Sequence, residues 1–574
     1  MAKDWLIAPP SPECDALARR LGVPPLVAQL LINREAAQDG HAERFLCPQL
    51  RDLHLPEELP GVTRAAERIA GAIREQRKIV IYGDYDVDGI TGVAILWHVL
   101  RLAGAEVSFY VPHRIDEGYG VNAEAGRRLV ADGAGLIVTV DCGITAIDAA
   151  QVLRQAGVPF IVTDHHAAHA QTPDADAIVH PLVGGAYPNP HISGAGVAFK
   201  LAWAIAQQMS GSAKVGPEYR DLLTELLPLA AMGAIADVVP LVGENRIIAR
   251  HGLTSLPRTR LPGLKCLIEQ AGLANEKISG YDVGFKLAPR INAAGRMGHA
   301  RLAVELFTRA DADRAREIAI YLEEHNRSRQ STERQMAKQA CEMIDRDHLA
   351  GDARRAIVLA CDGWHAGVIG IVAARVVARY NRPTVMIALS NGEGQGSARS
   401  VRHFDLAEAL CGCSDHLLAH GGHAMAAGLR IASERVPAFT DAFVALANSR
   451  LTGDDLLPKL RLDAEVSLRD LTLPTAEAIV ALGPFGVGNP RPKLASGWLE
   501  LAAEPRVVGQ TQEHLQIAFQ EGGMRTKGIA FGMASSAQDL KQHRRCRVAF
   551  EPMINDFNGR KTVEMQILDF RFPT

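Results

Sequence analysis

The chain has 574 residues, which excludes a single domain of the usual ~100–200 residues and leads us to expect about three to five. Hydrophobic residues make up 47% and charged residues 22%, a balance that excludes a disordered protein. The formal net charge of -3 excludes a global positive field, so contact with a polyanion has to come from local basic patches.

The first residues, "MAKDWLIAPPSPEC", lack the apolar core of a signal peptide, and no apolar run reaches membrane-spanning length. Nine scattered cysteines suggest no disulfide framework, and Cys411 and Cys413 stand too close for a zinc knuckle. A reducing, cytoplasmic setting with no membrane partner is the expectation. Residues 1–60 are punctuated by proline and weakly patterned, as in an extension packed on a larger core. From Gly61 onward, amphipathic helical stretches alternate with the short runs "KIVIYGD", "EVSFYVP", "GLIVTVDCG" and "VPFIVTDHH". β-Branched runs between helices are the signature of a parallel sheet covered on both faces. Residues 310–346 contain no Gly or Pro and predict one long helix, either a connector between domains or an ordinary surface helix. A second α/β pattern follows, through "AIVLACDGWHAGVIGIVAARVVARY" and "RPTVMIALS" to "GGHAMAAGLRI". Beyond Leu460 the runs shorten, and an Asn-Gly turn at Asn558–Gly559 predicts a small antiparallel barrel. The expected fold is therefore α/β multidomain, divided at 1–60, 61–305, 306–346, 347–455 and 456–574.

Three apolar runs stop at an aspartate: "IVIYGDYDVDG" with Asp84, Asp86 and Asp88, "GLIVTVDCG" with Asp141, and "VPFIVTDHH" with Asp164. Taken singly, each has a local explanation: a turn, a helix cap at Asp141, or a capping imidazole. Together they are expected in one crevice, because ligands of open α/β sheets bind at the carboxyl ends of the strands. Asp84, Asp86 and Asp88 share one face while the chain stays extended. So many carboxylates with His165 and His166 require counter-cations. Oxygen and imidazole donors without thiolates favour Mn²⁺ or Mg²⁺, and two such ions sharing a carboxylate polarise a phosphoryl oxygen and activate water.

In order and spacing, "DYDVDG", "VDCG" and "TDHH" resemble the first three motifs of the DHH phosphoesterase superfamily, and "GAIADVVPLVGENR" resembles the fourth. "SGAGVAFKLAWAI", "FKLAPRINAAGRMGHA", "WHAGVIGIVAARV", "GGHAMAAGL" and "PFGVGNPRP" are similar to the long bacterial branch, single-strand-specific 5′→3′ DNA exonucleases. The resemblance covers nearly the whole chain, least clearly before Gly61. It implies a DHH catalytic domain, a DHHA1 domain and a C-terminal OB-fold. It also implies two divalent ions held by Asp86, Asp88, Asp141, His165 and Asp237, with Asp84 a ligand or a partner of the ligands. His166 is expected near the scissile phosphate. Arg290 and Arg296 are expected beside substrate phosphates, with Asn292 orienting the site.

Ser397 and Arg399, two apart, either point together at a terminal phosphate or lie in a surface loop. Gly421 and Gly422 allow close backbone approach before an expected helix N-terminus, where His423 adds a donor. Trp364 and His365 either stack on a base or fill the core, and His365 is assigned to the cleft. Arg544, Arg545, Arg560 and Lys561 cluster near Phe557, but no stacking residue can be assigned there. The family further implies single-stranded DNA as substrate, 5′-mononucleotides as products and a monomer acting in DNA repair and recombination. A single-strand-binding protein and a RecQ-type helicase are its implied partners. Two rivals stand beside this reading: a phosphodiesterase or pyrophosphatase of small substrates, whose relatives are shorter, and a non-cutting scaffold, whose relatives lose ligands kept here.

Overall fold

The computed structural model describes residues 3–573 apart from 39, 114–116, 118–119, 297–298 and 352, with the Arg296 side chain also left out. Two compact units divide the chain: Met1–Leu6 with Glu324–Leu460, and Ile7–Glu323 with Arg461–Thr574.

In the larger unit, β1 (Ile79–Gly83) is buried at every residue and leads into helix α1 (Val87–Leu102). Strands β2 (Val107–Tyr110), β3 (Leu136–Val140), β4 (Phe160–Thr163) and β5 (Ala177–Val179) complete a five-stranded sheet. Its order is β2-β1-β3-β4-β5, and every pair is parallel. Continuous apolar runs form these strands because both faces are covered. Helix α1 is likewise buried almost all round, among the sheet, α2 (Gly194–Ser210) and α3 (Pro217–Ala236). The chain leaves β1 toward β2 on one side and returns to β3 on the other. The carboxyl ends of β1 and β3 are therefore the topological switch point, where such sheets bind ligands.

The first sixty residues are helical in part, and Leu17, Val27, Leu30, Leu31 and Phe45 share a core with Ile479 and Leu482. Arg246, 1% exposed, ties the same regions together by donating from Nε to the Phe45 carbonyl at 2.9 Å and from Nη2 to that of Gly483 at 3.0 Å.

The expected long helix is α4 (Ala312–Arg346), 35 residues in one piece. In the smaller unit, β6 (Ile357–Asp362), β7 (Thr384–Ser390), β8 (Glu393–Arg399), β9 (Ala419–Gly422) and β10 (Ala426–Ala432) form a sheet in the order β9-β10-β8-β7-β6. Only β6–β7 is parallel. The C-terminal sheet is eight-stranded and mixed rather than purely antiparallel, with 464–466 parallel to 494–496 and 527–530 parallel to 564–567. Its long hairpin, Arg545–Phe557 with Arg560–Arg571, closes on Asn558 and Gly559, both at positive φ as a two-residue turn requires.

Candidate metal centre

Asp86 is extended at φ -92° and caps α1, its carboxylate accepting from the Asp88 N–H at 2.9 Å and the Gly89 N–H at 3.1 Å. The three aspartates therefore do not line one face of an extended strand, as their alternation predicts. Helix α1 begins at Val87, and the bend brings Asp88 round in its first turn. Gly89 is needed for close approach, since a Cβ there would lie 2.8 Å from the Asp84 carbonyl oxygen.

Buried Asp88 accepts from the Gly194 N–H at 2.6 Å (Oδ2) and the Ala195 N–H at 3.0 Å (Oδ1), at the start of α2. Ser193 caps that helix. A Cβ at Gly194 would fall 2.4 Å from Asp141 Oδ1, and one at Gly233 would fall 2.3 Å from Asp88 Oδ1. These glycines make the space the carboxylates occupy. Replacing Gly233 by Ala should displace Asp88 and weaken Mn²⁺-dependent activity about ten- to hundredfold, the usual cost of disturbing a ligand's support. A Mn²⁺ titration of activity checks this.

Asp141 sits just beyond β3 at φ +62°, a conformation Asp tolerates better than most residues. It is not a helix cap: the next helix, Ile147–Gln155, is preceded by Ala146 and has no side-chain cap. Asp164 turns away from the other acids. Its carboxylate accepts from the backbone N–H groups of Ile144, His165 and His166 at 2.9, 2.7 and 3.1 Å, and bonds His166 Nδ1 at 2.8 Å. Burial opposes its charge, but these bonds outweigh burial and hold Asp164 below the usual carboxylate range. Asp237 ends α3, so its carboxylate arrives from the C-terminus of a helix.

His165 Nε2 lies 3.1 Å from Asp141 Oδ1, 3.6 Å from Asp237 Oδ2 and 3.8 Å from Asp88 Oδ2. Although buried, this nitrogen makes no hydrogen bond. Burial first, and His166 second, depress the His165 pKa to about 4, so its ring is neutral at pH 7 and Nε2 can offer a lone pair. Burial also works against charge on His166, yet its bond to Asp164 and the attraction of that carboxylate lift it to about 9. Asp88 and Asp141 are pushed well above the usual carboxylate range by burial and by neighbouring acids. Asp237 rises to about 7, through burial and then Asp86. Without cations these acids retain protons.

Among the described residues, Asp84, Asp86 and Asp141 offer donor atoms within 4.8 Å of one another, and so do Asp88, His165 and Asp237. The two groups share no residue, and Asp141 stands between them beside His165. Carboxylate oxygens, one neutral imidazole and no thiolate suit Mn²⁺ or Mg²⁺. The unbonded His165 Nε2 fits a ligand role.

The other expected residues divide by unit. In the larger one, Arg290 is turned to the protein, with Nε 2.7 Å from Glu323 Oε2 and Nη1 donating to the Lys286 carbonyl at 2.5 Å. Asn292 lines a groove beside Val238, and the Arg296 side chain lies outside the described residues. In the smaller unit, Ser397 and Arg399 lie on β8, not in a loop, and Arg399 Nη1 donates to Ser397 Oγ at 3.2 Å. His365 Nδ1 accepts from the Gly367 N–H at 3.0 Å, while Trp364 is core, its indole donating to Gln339 at 2.9 Å. The expected helix after Gly421 and Gly422 is absent: they end β9, and the His423 N–H closes the hairpin on the Ala426 carbonyl at 2.8 Å. The sequence reading missed Gly194, Ala195 and Gly233; the only signal was Ser193 as a cap before "GAG".

Models of three families match the chain: the DHH family N-terminal domain over residues 78–233, the DHHA1 domain over 354–449 and the RecJ OB domain over 462–569. The chain is 38% identical over 98% of its length to the single-stranded-DNA-specific exonuclease RecJ of Bacillus subtilis, covering 70% of that protein. It is 33% identical to the RecJ of Haemophilus influenzae, with 95% of each chain covered. The chain belongs to the RecJ family. Among solved structures, RecJ from Thermus thermophilus in complex with Mn²⁺ superposes with a TM-score of 0.84 at 32% identity, over 100% of this chain and 80% of that one. The RecJ fold is thus shared from the DHH domain through the OB domain.

Proposed function

We propose that the chain is a metal-dependent 5′→3′ exonuclease of single-stranded DNA that hydrolyses phosphodiester bonds and releases 5′-mononucleotides. The observation that carries this reading is the pair of acid clusters at the switch point, with the unbonded His165 Nε2 among them, in a RecJ-family chain. Asp86, Asp88, Asp141, His165 and Asp237 hold two Mn²⁺ or Mg²⁺ ions, with Asp84 completing the first group. When bound, such ions polarise the scissile phosphate and activate the attacking water. The helix N-terminus at Gly194 and Ala195 fixes Asp88, and left-handed Asp141 stands between the two groups. His166, kept protonated by Asp164, donates a hydrogen bond to a phosphate oxygen. Ser397 and Arg399 receive the terminal phosphate, with the hairpin at Gly421, Gly422 and His423 beside the strand; Asn292, Arg296 and His365 complete the substrate contacts. Arg290 serves once it exchanges Glu323 for a phosphate.

The family matches beyond the DHH domain support a polymer over a small substrate, and the intact acids support cutting over scaffolding. We place the activity in the cytoplasm, in DNA repair and recombination, with the protein a monomer served by a single-strand-binding protein and a RecQ-type helicase. No helix among the described residues is long and apolar enough to cross a membrane. The test is release of nucleotides from 5′-labelled single- and double-stranded DNA with and without Mn²⁺. Mn²⁺-dependent release from the single strand alone is expected. Equal digestion of the duplex, or none of either, would refute the reading.

A further inference from the structure

A groove of about 1020 Å³ opens within the larger unit, starting at Val238, the residue after Asp237. Val238 is 61% exposed and held at φ +63°, a conformation that is strained for a β-branched side chain. Across the groove, Tyr281 and Phe285 are 57% and 67% exposed, and their rings stack at 4.6 Å with planes 24° apart. Phe285 stands on a π-helical turn, Val283–Leu287, which runs directly into the helix carrying Arg290 and Asn292. Arg250, Arg258, Lys277 and Arg491 line the same groove, and no acidic side chain is among its described lining residues. In a chain of net charge -3 that local excess of cations is selective.

Large exposed aromatics in a hydrophobic groove mark a binding surface. Aromatic faces beside a cationic track are the chemistry that holds a single nucleic-acid strand, with bases on the rings and phosphates on the cations. A strand whose phosphate reaches Asp237 is one residue from the mouth of this groove. We infer that the groove is a strand-holding subsite, in which a base of the uncut strand stacks on Tyr281 and Phe285 while Arg258 and Lys277 meet its phosphates. This rests on the proposed single-strand exonuclease activity and adds where the remaining strand lies.

The test is anisotropy with full-length protein and fluorescent (dT)20 and (dT)3, with Ca²⁺ in place of Mn²⁺ to prevent turnover. A Tyr281→Ala/Phe285→Ala variant should bind (dT)20 about ten- to hundredfold more weakly, since stacking of one base is worth about 1–3 kcal/mol. The loss for (dT)3, too short to span both sites, should be clearly smaller. An Arg258→Glu/Lys277→Glu variant should lower the slope of log affinity against log salt by about one. Equal losses on both lengths would overturn the subsite. So would unchanged (dT)20 binding in both variants, which would leave the groove to an acidic protein segment. If the parent protein itself releases no nucleotides with Mn²⁺, the underlying activity fails instead, and the binding series separates the two failures.

Discussion

Asp141→Asn should abolish Mn²⁺-dependent nucleotide release, by about a thousandfold or more, while the metal-free protein melts at least as high as the parent. Asn keeps the side-chain shape and tolerates the left-handed backbone at φ +62°. What it removes is a buried carboxylate whose ionisation is opposed by burial and by Asp88, Asp86 and Asp84. Losing that charge relieves repulsion in the absence of ions. In their presence it deletes the ligand standing between the two donor groups. Metal ions contribute several kcal/mol of charge stabilisation to a phosphoryl transition state. About 4 kcal/mol corresponds to a factor near 10³ in rate. Calorimetry of the chelated protein beside the release assay checks both halves. Undiminished release would remove Asp141 from the centre, and a fall of many degrees in melting temperature would make it a structural anchor instead.

The affinity for Mn²⁺ should weaken by roughly 25-fold between pH 7.5 and pH 5.5 on account of Asp237 alone. Its pKa is raised from 3.8 in the unfolded chain to about 7 in the metal-free fold. Below pH ~4 the carboxyl is protonated in both states, and its contribution to stability is intact. As pH rises toward 7 the unfolded chain releases that proton while the fold retains it, so the metal-free protein loses stability across this window. The cost of a shift of this size is about 4 kcal/mol. An arriving cation has to displace the proton at pH 5.5 but meets a mostly ionised carboxylate at pH 7.5. Asp88 and Asp141 are shifted in the same direction and add to the effect. His165, depressed to about 4, stays neutral throughout and needs to release no proton. The gain in melting temperature on adding Mn²⁺ should therefore be larger at pH 7.5 than at pH 5.5. Calorimetric titration at the two values measures it, and equal affinities would show that these acids do not hold the ion.

Much of this centre is legible from local pattern. The runs that end at Asp84, Asp141 and Asp164 are continuous because their strands are covered on both faces, and strand ends are where such sheets present acids. The hairpin at Gly421–Gly422 was not legible. "HAMAAGL" is rich in residues that favour helices, yet 426–432 is a strand because it pairs along 393–399. The fate of Arg290 was equally hidden, since Glu323 lies 33 residues further along the chain (323 − 290) and only the fold brings the two within 2.7 Å.

By itself the sequence determined which segments become strands and helices, which acids stand at strand ends, and that such acids need cations. Those properties follow from short-range periodicity and from charge. Tertiary structure alone decided that Gly194 and Ala195 grip Asp88, that Gly233 makes room for it, that Asp164 turns to His166, and that the first sixty residues pack against Ile479 and Leu482. Each of these is a contact between residues placed by separate elements or by a backbone turn, set by packing and hydrogen-bond geometry, on which the local pattern of apolar and polar residues is silent.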